Sequence, residues 1–475
     1  MSRKPDSPPW LAYSRRKLLG SFLVGAGTVL SACKAEALSR RATHKGQVLL
    51  GRMRELPAGL EEAMRFPLVE ALLGRRARRF PLGATIPDGP LAYTSKHPPL
   101  PLGELEQMLV LCATAGNTGW INLHPHNPNY SPKIPNYAGA AGGRTFPSSA
   151  GFHTTEFFYT DDDGVYFLPT RDSGLLAQRE AAGLDLHGYL EAHRARIQKL
   201  ADGRLHIPAR PAHIEMHNPW AVNQPGSTLI FPVADLAQHH LANLCYLVKN
   251  GACVYDDVNG AQIPGLERFS SLVDVENPYP LTFVEQLSLA EVTAELSTAC
   301  YAGMLMLQAL GLGGWMFDGI TALSVLGASG DPEMPGLGFQ YQTDPRWPLP
   351  NVTGLPGTFE GFCPPHYSDM RAAVEALVRR KFGEGGPFHP ATPGPYRDNA
   401  RVRGAGEPHD EQFIDCVSTM AQYAVDRFGK FPATVPSIYM ITYLQAHHLD
   451  LGFYDTHFAP GAYLETHHRH MDDWH

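Results

Sequence analysis

Four arginines stand within five residues in the segment FPLVEALLGRRARRF, at positions 75, 76, 78 and 79. A fork of guanidinium groups binds a phosphate through paired, charge-assisted hydrogen bonds, so this run is a candidate phosphate site. The same residues also fit a solvated basic helix end that complements the helix dipole. Spacing alone does not choose between these two interpretations.

A proline followed by small residues forms a second candidate, in the segment RTFPSSAG that ends at Gly151. Small residues let the backbone approach a ligand closely, and glycine lets the chain turn beneath it. Three further glycines, Gly311, Gly313 and Gly314, follow a long apolar segment. An ordinary turn before a strand and an ordinary helix end also explain these two segments.

The last 29 residues of the sequence are rich in imidazole and carboxylate groups, which are the ligands of zinc, iron and copper sites. Their spacing matches no metal motif, and terminal histidine tracts often bind metal only adventitiously. We therefore expect a packed cap of aromatic and histidine side chains with no metal, and keep a metal-dependent enzyme as an alternative. The residues are His447, His448, His457, His467, His468, His470 and His475, with Asp450, Asp455, Glu465, Asp472 and Asp473.

The N-terminal segment SRRKLLGSFLVGAGTVLSAC has a basic start, a short apolar core and small residues before a cysteine. This order is typical of an export signal, here over residues 1–32, and the core is too short to span a membrane. The pair Arg15-Arg16 resembles a twin-arginine address, and Leu-Ser-Ala before Cys33 resembles a lipoprotein processing site. An uncleaved anchor is the alternative. Because the twin-arginine pathway exports folded chains, this signal favours a bound cofactor.

Composition narrows the possible partners. The 475-residue chain has a formal net charge of −8, which argues against a nucleic-acid partner because phosphates require a basic surface. Beyond the signal, no apolar run reaches the ~18 residues of a membrane span, so we expect membrane attachment by a lipid anchor only. Six cysteines remain after Cys33, with no CxxC pair, and we expect them to fill the core, although an exported chain permits disulfides.

Hydrophobic periodicity predicts several helices. Leu68, Val69, Leu72 and Leu73 share one face of a first helix, and GELEQMLVLCATAG predicts a second, closed by Gly116 as a left-handed cap. The clearest helix contains AEVTAELSTACYAGMLMLQAL, with Ser288 and Glu291 as a capping box and Gly311 as the C-terminal cap. Its faces are nearly all apolar or small, which predicts a central, buried helix. Two later helices are predicted in SDMRAAVEALVRRKFG and at 411–428.

Strands and loops alternate with these helices. TEFFYTDDDGVYFL predicts a hairpin, and STLIFPV at 227–233 predicts a strand, preceded by a polar insertion at 204–226. Residues 117–145 show no periodicity and predict a long loop. Helices mixed with hairpins favour the α+β class.

Three segments together resemble the FMN-dependent nitroreductase superfamily, especially its branch of peptide azoline dehydrogenases. They are GRRARRF, GRTFPSSAGFHTTEFFYTDDDGVYFL and ACYAGMLMLQALGLGGWMFDGI, in the order that the family shows, although the arginine run is one residue shorter. The resemblance implies an antiparallel-rich sheet flanked by helices around a long buried helix. It implies an FMN domain over 61–330, after a tether at 33–60 and before a C-terminal extension at 331–475, and homodimers with flavin between the subunits.

The resemblance also implies roles for individual residues. The FMN phosphate would be bound by Arg75, Arg76 and Arg79, and the flavin ring would lie along Pro147, Ser148, Ser149 and Gly151. Arg144 would place positive charge near N1 of the ring, where negative charge accumulates on reduction. Gly311, Gly313 and Gly314 would lie near the ribityl-phosphate end. No catalytic residue is assigned, because the flavin carries the chemistry.

These observations predict an exported, lipid-anchored, FMN-dependent oxidoreductase that acts on a small or peptide-borne substrate. Its electron donor stays open, since nicotinamide cofactors are cytoplasmic. A membrane-anchored binding protein that kept the fold and lost the flavin is the alternative from another class.

The export signal gives a first prediction. Replacing Arg15 and Arg16 by lysine should leave unprocessed protein in the cytoplasm, and Cys33→Ala should block maturation, because the pair is the address and the cysteine is the lipidated residue. Cell fractionation and mass spectrometry of the N-terminus measure both effects. Mature, membrane-associated protein from both variants would contradict the export interpretation.

Overall fold

The computed structural model describes residues 57–120, 142–171, 185–217, 219–393, 396–404, 406 and 408–475. The predicted export signal, the tether up to residue 56 and residues 121–141 of the predicted loop lie outside this range, so those expectations stay predictions. Within the described chain, none of the helices combines the length and the apolar character that a membrane span needs.

A seven-stranded antiparallel sheet forms the centre of the fold, in the strand order β11-β16-β8-β5-β6-β7, with β15 also paired to β8. The predicted hairpin and the strand of the STLIFPV segment are both present in this sheet. The strands are β1 (Thr85–Ile86), β2 (Tyr93–Thr94), β3 (Asn117–Trp120), β4 (Gly142–Arg144), β5 (Thr155–Thr160), β6 (Gly164–Leu168), β7 (Gln198–Asp202), β8 (Thr228–Asp235), β9 (Val254–Tyr255), β10 (Tyr279–Pro280), β11 (Gly313–Phe317), β12 (Gln340–Gln342), β13 (Asn351–Leu355), β14 (Phe359–Glu360), β15 (Ile438–Tyr439) and β16 (Tyr443–His447).

Twelve helices occur in the described part of the chain, so the protein mixes helices with an antiparallel sheet, as the α+β class predicts. They are α1 (Ala58–Arg65), α2 (Leu68–Leu73), α3 (Glu104–Ala115), α4 (Leu186–Arg194), α5 (Leu236–Lys249), α6 (Leu281–Leu310), α7 (Ala322–Leu326), α8 (Met370–Phe382), α9 (Asn399–Gly404), α10 (Glu411–Phe428), α11 (Leu451–His457) and α12 (Glu465–Trp474). The helices predicted in SDMRAAVEALVRRKFG and at 411–428 are confirmed as α8 and α10.

Both faces of the sheet are covered at β5, in its interior. Every residue of the aromatic strand β5 is buried. Successive side chains of a strand point to opposite faces, and here Phe157 contacts Phe146 while Phe158 contacts Phe339 and Phe359. The strand therefore carries apolar side chains without alternation, because neither face meets solvent.

Helix α6 is the long buried helix that the sequence predicts, and it packs against the sheet and against α3 and α5. Gly311 ends it with a φ of 73°, which confirms the predicted left-handed cap. The predicted capping box is wrong, because the helix begins at Leu281 and Ser288 and Glu291 lie inside it. Near its start, Glu285 accepts hydrogen bonds from the backbone N–H groups of Ala433 and Thr434, at 2.5 and 2.8 Å.

Two other local predictions differ from the structure. Gly116 follows α3 in an extended conformation, with φ −62° and ψ 138°, and is not a left-handed cap. A Cβ there would lie 2.1 Å from the carbonyl oxygen of Cys112 and 2.3 Å from the hydroxyl of Tyr189, so close packing requires the glycine. The segment 117–145 begins and ends in paired strands, β3 and β4, where the sequence predicts only loop.

Helix α2 forms where periodicity predicts it, but its apolar face is on the surface. Leu68 is 67% exposed and Leu73 is 73% exposed, and Val69 and Leu72 are exposed as well. Only Ala71 is buried in this helix. The pattern therefore predicts the helix correctly but not the partner of its apolar face.

Residues 331–475 are integrated into the same compact unit as the preceding residues, from position 56 onward. Strand β16 pairs with β11 on one side and with β8 on the other, so it lies inside the sheet. Helices α8 and α10 join α5 in a second apolar core. The predicted C-terminal extension thus supplies part of the central sheet as well as a layer beside it.

All six described cysteines are buried free thiols, which agrees with their predicted role as core residues. Burial raises the pKa of Cys245 and Cys253 to about 11, so both are protonated near neutral pH.

Buried histidines make stability depend on pH. His409 stacks on Phe413, and burial lowers its pKa to about 3. Between about pH 6.5 and pH 3 the unfolded chain binds a proton here that the folded chain does not, so stability falls as the pH falls. The variant His409→Phe should lose less stability on acidification, by up to about 1.4 kcal/mol per pH unit. Urea unfolding at pH 7 and at pH 5 measures the free energy of unfolding of each variant. The exposed variant His206→Phe is the control; equal pH dependence in both variants would contradict the prediction.

Candidate functional site

The Pro147–Gly151 loop is held by two carboxylates of α6. The Ser148 hydroxyl donates to Glu295 at 2.5 Å, and the Ser149 hydroxyl donates to Glu291 at 2.6 Å. Glu295 also accepts from the backbone N–H of Thr155, at 2.9 Å, where β5 begins. The loop is therefore fixed to the longest helix and to the central sheet at the same time.

The backbone of this loop turns sharply. Residues Ser149–Gly151 form a short 3-10 turn, and Gly151 has a φ of 70°, which glycine adopts without strain. His153 has a φ of 46°, a conformation that costs a non-glycine residue of order 1–3 kcal/mol. Its backbone N–H donates to the Ser148 hydroxyl at 3.0 Å, which holds it in place. Backbone strain at a rigid loop is typical of ligand-binding segments.

Burial and hydrogen bonding together set the charge of the groups around the loop. Burial raises the pKa of Glu291, but hydrogen bonds from His239, Asn243 and Ser149 outweigh it and hold the pKa below its usual range. Burial lowers the pKa of His153 to about 3, so this imidazole is neutral at physiological pH. Burial also lowers the pKa of Arg144, whose Nη atoms donate to the carbonyl oxygens of Gly143 and Thr170.

An open pocket of about 450 Å³ lies beside the loop. Two buried polar atoms of its lining residues, Arg144 Nε and His153 Nδ1, have no hydrogen-bond partner in the described chain. Buried polar groups are nearly always paired, so these two lining residues carry polar groups whose hydrogen-bond partners the described chain does not supply. The lining residues are Thr118, Gly143, Arg144, Thr145, Phe146, Pro147, Ser148 and His153.

The arginine run follows α2. The Arg75 guanidinium lies 5.8 Å from the ring centre of Tyr301 and 3.6 Å from the sulfur of Met304. Arg76 is exposed and donates to the carbonyl oxygens of Leu73 and Arg75. Neither guanidinium forms an ion pair with a carboxylate of the described residues, and Arg79 beside them is half-buried. Arg75 and Arg76 therefore offer positive charge that no acidic side chain of the described ranges neutralises.

Arg78, the fourth arginine of the run, is an internal anchor. It is 2% exposed and donates to the side chain of Gln308 at 2.6 Å, and to the carbonyl oxygens of Ala462 and Gly74. Arg78 therefore joins α6, the C-terminal segment and the end of α2.

The two predicted halves of the FMN site lie on different faces of α6. Arg75 contacts Tyr301 and Met304, whereas the loop contacts Glu291 and Glu295. At 3.6 residues per turn, these two sets of positions are about 130° apart around the helix, and Met304 is about 13 Å beyond Glu295 along it. One chain alone does not bring the arginines and the loop to a common face.

The three predicted glycines are in close contact with other parts of the chain. A Cβ on Gly311 would lie 2.1 Å from the carbonyl oxygen of Thr466, and one on Gly314 would lie 2.1 Å from that of Gln445. A Cβ on Gly313 would lie 2.7 Å from His447. Packing of α12 and β16 therefore explains all three glycines, and their predicted role near the cofactor stays a prediction.

The histidines of the C-terminal segment occupy several environments. His447 is buried beside Trp315, His457 packs against the rings of Tyr93 and Phe453, and His468 is exposed. His467 is buried in α12. The remaining three, His448, His470 and His475, converge on Glu106 of α3.

Glu291, Glu295 and Glu106 are site residues that the sequence analysis missed. A signal for the first two was present, since carboxylates four residues apart share one face of a helix, and most other residues of this helix are apolar or small. For Glu106 there was none, because its partners are more than 340 positions away.

A serine, a histidine and an aspartate also form a chain of hydrogen bonds elsewhere. His213 lies 2.8 Å from the Ser324 hydroxyl and 2.9 Å from an Asp331 oxygen. These are the residue types of a hydrolase triad. Ser324 is fully buried within α7, so a substrate carbonyl cannot reach it, and the chain of bonds is structural.

Comparison with known proteins identifies no family for this chain. No family model matches the sequence, and no curated protein matches it. One solved structure with some likeness is a protein from Ralstonia eutropha JMP134 described as a "putative nitroreductase". It is 13% identical, with a TM-score of 0.24, over 57% of this chain and 74% of that one. A likeness of this size supports no conclusion about activity, so function has to be inferred from the residues of this chain.

The anchoring of the loop gives a third prediction. Glu295→Ala should destabilise the protein by about 1–3 kcal/mol, because the buried N–H of Thr155 and the Ser148 hydroxyl lose their acceptor. Urea unfolding measures the loss, and hydrogen exchange should be faster in the loop. Gln286→Ala, on the exposed side of the same helix, is the control. Equal stability of the two variants would contradict the anchoring role.

Proposed function

We propose that the protein is an FMN-dependent oxidoreductase of the nitroreductase type that acts on a small or peptide-borne substrate. The observation that carries this proposal is the pair of buried, unpaired polar atoms, Arg144 Nε and His153 Nδ1, in a pocket beside the anchored Pro147–Gly151 loop. A flavin ring has polar atoms along one edge, so the wall of this pocket fits it.

Arg144 has a defined task in this proposal. Bound FMN supplies hydride and electron transfer, and its ring gains negative charge on reduction. An arginine that stays protonated near neutral pH stabilises that charge without giving up a proton. The neutral His153 contributes a hydrogen bond and no charge, so the positive charge of the pocket comes from Arg144.

Arg75, Arg76 and Arg79 bind the FMN phosphate in this proposal. The phosphate carries close to two negative charges, and guanidinium groups bind it with charge-assisted hydrogen bonds. This role is supported because Arg75 and Arg76 form no ion pair with a described carboxylate. Arg78, between Arg76 and Arg79, is bound to the core through Gln308.

The separation of the two half-sites supports a homodimer. Since the arginines and the loop lie about 130° apart around α6, a second copy of the chain supplies in this proposal the half that the first lacks. The exposed apolar face of α2 directly precedes the arginines, and a contiguous apolar surface of this kind is typical of a protein interface. Flavin bound between two copies would use both features.

Three further proposals rest on the sequence. We infer export and lipid anchoring from the N-terminal segment, and no nucleic-acid partner from the acidic charge. A chain outside the cytoplasm needs an electron donor other than a nicotinamide cofactor.

FMN binding gives a fourth prediction. Purified protein should bind one FMN per chain, show a flavin absorption band and bleach with dithionite. Arg76→Ala should weaken FMN binding about tenfold to a hundredfold, the roughly 1.5–3 kcal/mol of a charged hydrogen bond. Riboflavin, which lacks the phosphate, should bind weakly to the native chain and lose little in the variant. Arg65→Ala, on the surface of α1, should bind as the native protein does.

The same measurement tests the shared site. Arg76→Ala and Arg144→Gln chains should each bind FMN poorly, whereas a mixture should recover part of the binding, because mixed dimers contain one intact site. A mixture that binds no more FMN than the separate variants do would contradict the shared site. Protein that stays colourless after incubation with excess FMN and gel filtration would contradict the proposed enzyme activity, and would favour a binding protein without flavin.

A further inference from the structure

A buried cluster of three histidines and one glutamate joins distant parts of the chain. Glu106 lies in α3, His448 directly follows β16, His470 lies in α12, and His475 is the last residue of the sequence. One ligand atom from each residue lies within 4.8 Å of all the others. Glu106, His448 and His470 are 1–3% exposed, and the His475 side chain is 29% exposed.

Backbone carbonyl groups fix the hydrogens of the two buried imidazoles. His470 Nδ1 lies 2.7 Å from the carbonyl oxygen of Leu310, and His448 Nε2 lies 3.1 Å from that of Pro101. A carbonyl oxygen only accepts, so each of these nitrogens carries a hydrogen. In neutral rings, the opposite nitrogens, His470 Nε2 and His448 Nδ1, then present lone pairs.

Three electron-pair donors meet at one point in the cluster. His448 Nδ1 lies 3.0 Å from His470 Nε2, which lies 2.9 Å from Glu106 Oε1. Glu106 Oε1 has no other partner at hydrogen-bond distance than the histidines of this cluster in the described chain. The other carboxylate oxygen accepts from the N–H of Gly103 at 2.5 Å. Facing lone pairs repel in a buried site, and a cation among them, either a metal ion or the extra proton of a doubly protonated histidine, would remove that repulsion.

We propose that Glu106, His448 and His470 bind a divalent transition-metal ion of the zinc class, with His475 as the fourth ligand. Nitrogen and carboxylate oxygen are the ligands that such ions prefer. With metal–nitrogen bonds of about 2.0–2.1 Å, tetrahedral ligand atoms lie roughly 3.3 Å apart. The separations of 2.9, 3.0 and 3.5 Å around Glu106 Oε1 and His470 Nε2 match that spacing.

The surroundings of the cluster are those of a metal site. Histidines that bind metals usually donate their second N–H to a backbone carbonyl or a carboxylate, which fixes the tautomer. Leu310 and Pro101 supply such carbonyls here, and Gly103 orients the carboxylate. Four protein ligands leave no open position, which is typical of a structural site.

The ion would clamp α12 to α3 and to the end of β16. Helix α12 covers Gly311, and its Thr466 hydroxyl donates to the carbonyl oxygen of Gln308 at 2.8 Å. Metal binding would therefore hold the last helix over the C-terminal end of α6. This reverses the expectation from the sequence that the C-terminal histidines bind no metal, since the carboxylate ligand comes from a remote helix.

Metal analysis of the untagged full-length chain tests the proposal. Elemental analysis after gel filtration should find one zinc-class ion per chain. Chelation should lower Tm, and zinc should restore it. Cobalt added to the chelated protein should give the strong visible absorption of a tetrahedral site. Protein that takes up no tightly bound equivalent of zinc or cobalt would overturn the proposal in favour of an ion pair between Glu106 and a doubly protonated histidine.

Three variants locate the ion. His470→Ala and Glu106→Gln should each abolish the tight equivalent, whereas His468→Ala, on the exposed side of the same helix, should keep it. Glu106→Gln places an amide N–H beside the histidine nitrogen, so it should fold without metal and decide the question if His470→Ala does not fold. Full metal content in Glu106→Gln, or its loss in His468→Ala, would indicate adventitious binding and overturn the proposal.

Discussion

The fold depends on a long helix whose buried polar side chains must all find partners. A polar group left unpaired in the interior costs more than the hydrogen bond it would make, so each one on α6 fixes the segment that satisfies it. Glu285 fixes the backbone at Ala433, Glu291 and Glu295 fix the Pro147–Gly151 loop, and Gln308 binds Arg78. Four side chains of the helix thus attach three separate segments at defined positions along its length.

The sequence predicts elements whose signals are local. The hairpin with its acidic turn, the strand before α5 and helices α8 and α10 were all recognisable, because apolar period and turn residues lie within the element. Glu291 was misjudged as a cap, since a carboxylate near a serine is the same signal whether the helix begins there or continues. The exposed face of α2 and the extended Gly116 were missed for a related reason: each depends on a neighbour that the local pattern does not contain.

The candidate site shows the same division. The Pro-Ser-Ser loop was recognisable as a place of close backbone approach, but the carboxylates that hold it come from a helix about 140 positions later. The arginines and the loop contact different faces of α6. Which face a position occupies depends on the helical repeat, and a local sequence motif does not contain that information. In the same way, the histidines near the end of the chain matched no metal spacing while Glu106 was not counted among them. Residues that act together here are far apart in the sequence.

The position of β16 has a consequence for synthesis. Ribosomes release a chain from its N-terminus, so β8 and β11 emerge long before Tyr443–His447, which must lie between them. Until then one edge of β8 exposes unpaired backbone groups, and β11 lacks the strand that pairs with it along its whole length. Native pairing therefore has to wait until β16 emerges, about 210 residues after β8, and the nascent protein carries an open, aggregation-prone edge during that part of synthesis.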